Sequence, residues 1–142
     1  MARQYVRNRG QQIGNRFVGT LVRLGLGPKG TYLMTVPGRK TGKRYTTPVT
    51  LVEDGTQRWL VAPYGPVSWV RNARAAGRVT LRRGGRSEEA AITEVDARAA
   101  APVLQKYLAA IRIVRPYFDV TPESSIEDFV AEAPRHPVFA LS

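Results

Sequence analysis

Short runs in which apolar and polar positions alternate, separated by glycine and proline, fill most of the chain after residue 30. A period of two is the signature of a strand with one buried face. Tyr32 to Val36 is one such run, and Tyr45, Thr47, Val49 and Leu51 alternate along the next. Asp54-Gly55 is a two-residue hairpin signal leading into Trp59 to Ala62. Val79 to Arg82, the Gly84-Gly85 turn and Glu88 to Val95 predict a further hairpin, and Val138 to Leu141 a last strand.

Helical spacing appears between these runs. Residues 67–76 predict a short helix closed by Gly77. Asp96 is placed to cap a helix running to about residue 113, with Ala101, Leu104, Leu108 and Ile111 on one face. Ile126 to Val130 suggests a short one. Upstream, Ile13, Phe17, Leu21 and Leu24 fall on one side of a basic amphipathic helix over residues 3–24, with Arg3, Arg7, Arg9, Arg16 and Arg23 on the others. The expected architecture is α+β: a small antiparallel split β-barrel of about six strands with an N-terminal helix and peripheral helices. Residues 1–27 form the helix and 28–142 the barrel domain; the strand order is not legible.

Composition narrows the chemistry. The 142 residues contain no cysteine and a single histidine, His136. Thiolate metal sites, cysteine nucleophiles and two-histidine zinc motifs are therefore excluded. His136, between Arg135 and Pro137, reads as a loop or strand-edge residue. No apolar run approaches the roughly 20 residues of a membrane span, and no secretory signal opens the chain, so a cytoplasmic location is expected. The formal net charge of +11 favours acidic ligands, anionic membranes or nucleic acid.

That charge is most concentrated in Gly38-Arg39-Lys40-Thr41-Gly42-Lys43-Arg44, a turn between two strands carrying four cations. A compact anion such as phosphate suits it; so does a solvated hairpin tip. The spacing is not that of a P-loop: Lys43 stands where the second glycine belongs, and Arg44 follows Gly42-Lys43 in place of the metal-binding hydroxyl. No nucleophile elbow, paired carboxylates or metal cluster is present. An enzyme built on this chain needs a bound cofactor to supply the reactive atom.

The order of these pieces resembles the deazaflavin (coenzyme F420)-dependent nitroreductase family of flavin-reductase-like split barrels. The likeness is carried by Gly38-Arg39-Lys40-Thr41-Gly42, then Thr46-Thr47-Pro48-Val49, the Asp54-Gly55 hairpin, Leu60-Val61-Ala62, and Trp69-Val70-Arg71-Asn72 heading a short helix. It implies that coenzyme F420, a deazaflavin with a phosphodiester and a polyglutamate tail, is the cofactor. Arg39, Lys40 and Thr41 would hold phosphate, while Lys43 and Arg44 would follow the tail. The tricyclic ring would lie along Pro48, Val49 and Thr50, opposite Ala62 and Pro63, with Trp69 and Asn72 closing the pocket. Tyr64 and Tyr117 are the candidate proton donors. The chain departs from the family pattern at Tyr45, where an arginine is often found, and in the short loop Pro63 to Ser68.

The resemblance thus implies hydride transfer from reduced F420 to an electron-poor small molecule: an enone, quinone or nitro compound. An FMN-binding reductase of the same fold is the first alternative, and a basic nucleic-acid or membrane-surface module the second. No nucleic-acid partner is expected, because no aromatic and basic residues interleave into a stacking platform. A homodimer and peripheral membrane contact through the N-terminal helix complete the expectations.

Overall fold

The computed structural model describes residues 30–142, so the expected helix over residues 3–24 lies outside the described residues. Six strands follow the alternating runs: β1 (Thr31–Pro37), β2 (Arg44–Asp54), β3 (Gln57–Val61), β4 (Arg78–Arg83), β5 (Arg86–Glu94) and β6 (Val138–Leu141). They close into an antiparallel barrel in the order β1-β2-β3-β6-β5-β4, with β4 pairing back onto β1. Closure leaves no long unpaired edge, which a six-stranded open sheet of this size would expose at both ends.

Two connections leave the barrel. Between β3 and β4 runs α1 (Ser68–Ala76), and between β5 and β6 run α2 (Ala97–Ala110), a 3-10 helix (Arg112–Tyr117), α3 (Ile126–Glu132) and a 3-10 turn (Ala133–Arg135). Asp96 caps α2 as the sequence suggests, its Oδ1 accepting from the Ala99 amide at 2.8 Å. The expected helix to residue 113 stops earlier: Ile111 adopts an extended conformation and the chain tightens into the 3-10 segment. Pro116 inside that segment has no amide to donate, which favours the shorter, tighter turn over continued α-helix.

Apolar side chains form two clusters on opposite faces of the same strands. Met34, Val36, Leu51, Leu60, Leu81, Ala90, Phe139 and Leu141 come from all six strands and fill the lumen, where Ala62 and α1 residues Val70 and Ala73 join them. The alternate residues of three strands, Val52, Val61 and Val138, face outward and are covered by α2, α3 and the 3-10 helix through Leu104, Tyr107, Leu108, Phe118 and Phe129. Strands β2, β3 and β6 are thereby buried on both sides, while α1 packs on β1 and β4. No helix among the described residues is long and apolar enough to cross a membrane.

Candidate active site

The basic turn is built by its own backbone. The Gly38 amide donates to the Lys43 carbonyl at 2.7 Å, and the Gly42 amide to the Gly38 carbonyl at 2.9 Å. Gly42 takes φ +76°, a conformation that side chains with a Cβ rarely adopt, so glycine is what lets the chain reverse there. The Thr41 hydroxyl oxygen accepts from the Lys43 amide at 3.3 Å, which leaves its own O–H available to donate outward.

Asn72 of α1 fastens this turn to the body of the protein. Its side chain is buried, and Oδ1 accepts from both the Arg39 amide, at 3.1 Å, and the Arg39 guanidinium, at 2.8 Å. A neutral amide is the fitting acceptor: it fixes the guanidinium without cancelling its charge. One link therefore sets both the path of the turn and the direction of its first cation.

Between the turn and α1 opens a cleft of about 740 Å³. Its floor and walls are Gly38, Arg39, Lys40 and Thr41 from the turn, Tyr45, Thr46 and Thr47 from β2, and Pro66, Val67, Ser68, Trp69, Arg71 and Asn72 from α1 and its approach. Among the described residues no carboxylate lines it. The N-terminus of α1 adds to the positive field, because Val67 at the cap position supplies no capping side chain and the first turn holds no acid. Trp69 contributes a half-buried aromatic wall that leans on Phe139 of the lumen, ring centroids 6.5 Å apart. Tyr45 contributes a second, about half exposed, with the Lys43 ammonium 5.8 Å from its ring centroid. Cations on one side and aromatic or apolar surface on the other fit an anionic aromatic cofactor.

Of the residues singled out in the sequence, the structure brings Arg39, Lys40, Thr41, Trp69 and Asn72 together around this cleft. Lys43 and Arg44 are exposed beside it without lining it. Pro48, Val49 and Thr50 lie farther along β2 than the lining segment Tyr45–Thr47. Val49 packs toward the lumen, while Thr50 pairs with Thr31 on the opposite face. Ala62 is buried in the lumen cluster, and the Pro63 carbonyl faces His136.

Tyr64 and Tyr117, expected as proton donors, sit elsewhere. Their rings meet edge to face, centroids 4.8 Å apart, and both pack on the outer helical cluster rather than in the cleft. The reason is the short connection after β3, which turns Tyr64 toward the 3-10 helix before the chain reaches Pro66. Tyr45, Thr47, Ser68 and Arg71 line the cleft without having been given a site role from the sequence. Strand alternation from Thr47 back to Tyr45, and the three- and four-residue spacing of Ser68, Arg71 and Asn72, are the signals that would have found them.

His136 stands in a bend just before β6, at the strand edge where the sequence puts it. It is buried, with Nδ1 2.8 Å from the Pro63 carbonyl oxygen and Nε2 2.6 Å from Glu132 Oε2. Burial holds its pKa below the ordinary histidine value, against the opposing pull of Glu132 and the Pro63 carbonyl.

Solved structures share this fold at low sequence identity. An F420-H2 dependent reductase, FDR-A, is 21% identical with a TM-score of 0.55, over 80% of this chain and 95% of that one. A protein solved as a domain-swapped dimer is 18% identical with a TM-score of 0.58, over 94% and 96%. A pyridoxamine 5'-phosphate oxidase-like protein from Listeria innocua is 10% identical with a TM-score of 0.52, over 80% and 82%. None of the curated proteins matches the chain. The model of the F420H(2)-dependent quinone reductases matches residues 2–121, which takes in the basic turn, β1 to β5, α1 and the whole cleft lining. The chain therefore belongs to the F420H(2)-dependent quinone reductase family, oxidoreductases whose cofactor is coenzyme F420.

Proposed function

We propose that the cleft between the basic turn and α1 is where this reductase holds its coenzyme and meets its acceptor. The observation that carries the proposal is the Arg39–Asn72 link, which presents a fixed, uncancelled cation at the mouth of a cleft with aromatic walls. Arg39, Lys40, the Thr41 hydroxyl and the open N-terminus of α1 would hold the phosphate, and Lys43, Arg44 and Arg71 would meet carboxylates of the tail. Tyr45, Thr47 and Trp69 would bound the ring system. When bound, the reduced deazaflavin supplies a hydride to a quinone, enone or nitro acceptor.

The chain's own contribution is placement and shielding. Trp69 and Val67 exclude water from one wall, and the turn fixes the anionic handle so that the reactive ring is held in one orientation. The hydroxyls of Tyr45, Thr47 and Ser68 are placed in the lining to donate a hydrogen bond to a carbonyl or nitro oxygen. No side chain needs to become covalently attached at any stage.

Replacing both Arg39 and Lys40 with alanine tests the assignment. Charged hydrogen bonds are worth roughly 1.5–3 kcal/mol each, so coenzyme affinity should weaken at least about tenfold. An unchanged dissociation constant in a fluorescence titration of the deazaflavin would refute it. Titrating FMN in parallel separates the alternative cofactor.

Pairing with a second copy is the remaining part of this reading; it is supported by the neighbour solved as a domain-swapped dimer, and light scattering decides it. A cytoplasmic enzyme touching the membrane through residues 1–27 is supported by their sequence alone, and co-sedimentation with anionic liposomes, with and without that segment, tests the contact.

A further inference from the structure

The connection from β3 to α1 forms one wall of the cleft and is held partly by its own backbone, the Gly65 amide donating to the Ala62 carbonyl at 3.3 Å and the Val67 amide to the Gly65 carbonyl at 2.8 Å. Val67 offers no cap to α1, and Pro63 and Pro66 have no amides to donate. The Tyr64 ring packs on Tyr117, and further restraints come from the segment just before β6. The Ala62 amide donates to the Pro137 carbonyl at 2.8 Å, and the Pro63 carbonyl faces His136 Nδ1 at 2.8 Å. A Cβ on Gly65 would stand 3.4 Å from the Arg135 carbonyl oxygen. Residues 135–137 therefore run directly beneath 62–65, and Pro66, Val67 and Ser68 continue from there into the cleft lining.

His136 is itself held from three sides. Its ring stacks on Phe118, centroids 3.7 Å apart with planes 11° from parallel. Nε2 meets Glu132 Oε2 at 2.6 Å, and the two side chains are 4% and 1% exposed. Glu132 in turn accepts from the Arg135 guanidinium and, at 3.3 Å, from the Asp119 amide, while Arg135 pairs with Asp119 at 2.7 Å. Both ring nitrogens face oxygen atoms, so one proton must lie between Nε2 and Oε2 whichever atom carries it.

We infer that the buried Glu132–His136 pair is a positioning device for the cleft: it clamps the 62–65 connection from beneath and so fixes the Pro66–Trp69 wall opposite the basic turn. A buried polar pair is a poor way to gain stability, since well-packed apolar side chains do as well or better. What it provides is direction, because a hydrogen bond to one carbonyl admits a single placement of the turn. Glu132 and His136 lie beyond the residues that the family model matches, so the clamp is a feature of this chain's C-terminal segment. The inference rests on the cleft being the coenzyme site only for its effect on binding, not for the clamp itself.

The test pairs hydrogen exchange with coenzyme titration. His136→Phe keeps the stack on Phe118 and removes both ring nitrogens. Amide exchange across residues 62–69 should then rise about tenfold with the barrel strands unchanged, and the coenzyme dissociation constant should rise about fivefold. Glu132→Gln should fall between wild type and His136→Phe in both, because an amide nitrogen at the Oε2 position can donate to Nε2, with Nδ1–H still serving Pro63, but no longer accepts from the Asp119 amide. Leu104→Ala is the control: it hollows the outer core and lowers Tm while leaving every hydrogen-bonding atom of the clamp in place, so both readouts should stay near wild type below its Tm. The inference is overturned if His136→Phe leaves exchange at 62–69 unchanged, or if Leu104→Ala raises it equally. Should His136→Phe not fold, Arg135→Ala carries the test, releasing Glu132 from its exposed partner: exchange at 62–69 must rise at least about twofold, and no change refutes the clamp. A wild-type protein that fails to bind F420 would sink the cofactor site alone, since exchange still decides the clamp.

Discussion

The ring of Tyr45 lies against Gly38 so closely that a Cβ at position 38 would stand 2.8 Å from Cε2 and 3.2 Å from the Lys43 carbonyl oxygen. The glycine that begins the basic turn is thus required by an aromatic residue at its far end, where the chain re-enters the sheet. Val36 and Tyr45 are register partners across β1 and β2, so the contact is set by the hairpin itself.

Gly38→Ala should displace the Tyr45 ring from the cleft. The ring is about half exposed and can swing away, so the cost should stay near the lower end of overpacking, about 1 kcal/mol. The carbonyl of Lys43 cannot move as freely. In a Tyr45→Ala background the same substitution should cost clearly less. Denaturant melts of the four proteins give the coupling directly, and additive costs would show that the two residues do not constrain each other.

Asn72 separates geometry from charge. Asn72→Ala removes the acceptor of two Arg39 hydrogen bonds, one from a charged group, and should cost about 1–3 kcal/mol of stability. Asn72→Asp keeps an acceptor in place and pairs it with Arg39, so its melting temperature should stay closer to wild type. The added carboxylate opposes a bound anion, however, and coenzyme affinity should fall about tenfold or more. Tight binding by the aspartate variant would mean that phosphate is held elsewhere.

These two relationships show where the sequence was legible and where it was not. The strands followed from local alternation: Val138–Leu141 falls where the apolar run predicts, and Asp96 caps α2 as its position before a helical pattern suggests. The basic turn and Trp69-Val70-Arg71-Asn72 were visible as separate pieces. That Asn72 reaches back to Arg39 depends on β4 pairing with β1, which no local pattern encodes. His136 falls at the strand edge as expected, but its partners were hidden for the same reason. Its neighbours in sequence are polar or turn-forming, whereas its neighbours in space, Phe118, Glu132 and Pro63, arrive from three different segments. Tyr64 and Tyr117 were assigned through the family resemblance, and the short connection after β3 turns Tyr64 into the helical layer, where it meets Tyr117 of the 3-10 helix.

Asp96→Ala removes the side-chain acceptor for the Ala99 amide at the start of α2. Loss of an N-cap costs typically about 1 kcal/mol. Helix α2 covers the outer face of β2, β3 and β6, so the whole barrel should melt earlier in a single transition. Coenzyme affinity measured below that transition should be unchanged, because α2 does not line the cleft. A separate early transition would indicate that the helical layer unfolds on its own.

Glu88 gives the acid limb of stability a structural origin. It accepts two hydrogen bonds from the Arg58 guanidinium, at 2.7 and 3.1 Å, linking β5 to β3 across the short strand β6. The hydrogen bonds from Arg58 are the largest cause holding the Glu88 pKa below its ordinary value. A depressed folded-state pKa means that the unfolded chain binds the proton first. The contribution is therefore complete above the unfolded glutamate value of about 4.3 and is lost as pH falls through the lower folded value. Glu88 is 46% exposed, so solvent screening limits the pair to about 1 kcal/mol or less. Glu88→Gln should lower Tm by a few degrees at pH 7, and the gap to wild type should close as pH drops below 4. A difference that persists undiminished at pH 3 would place the effect in packing, not charge.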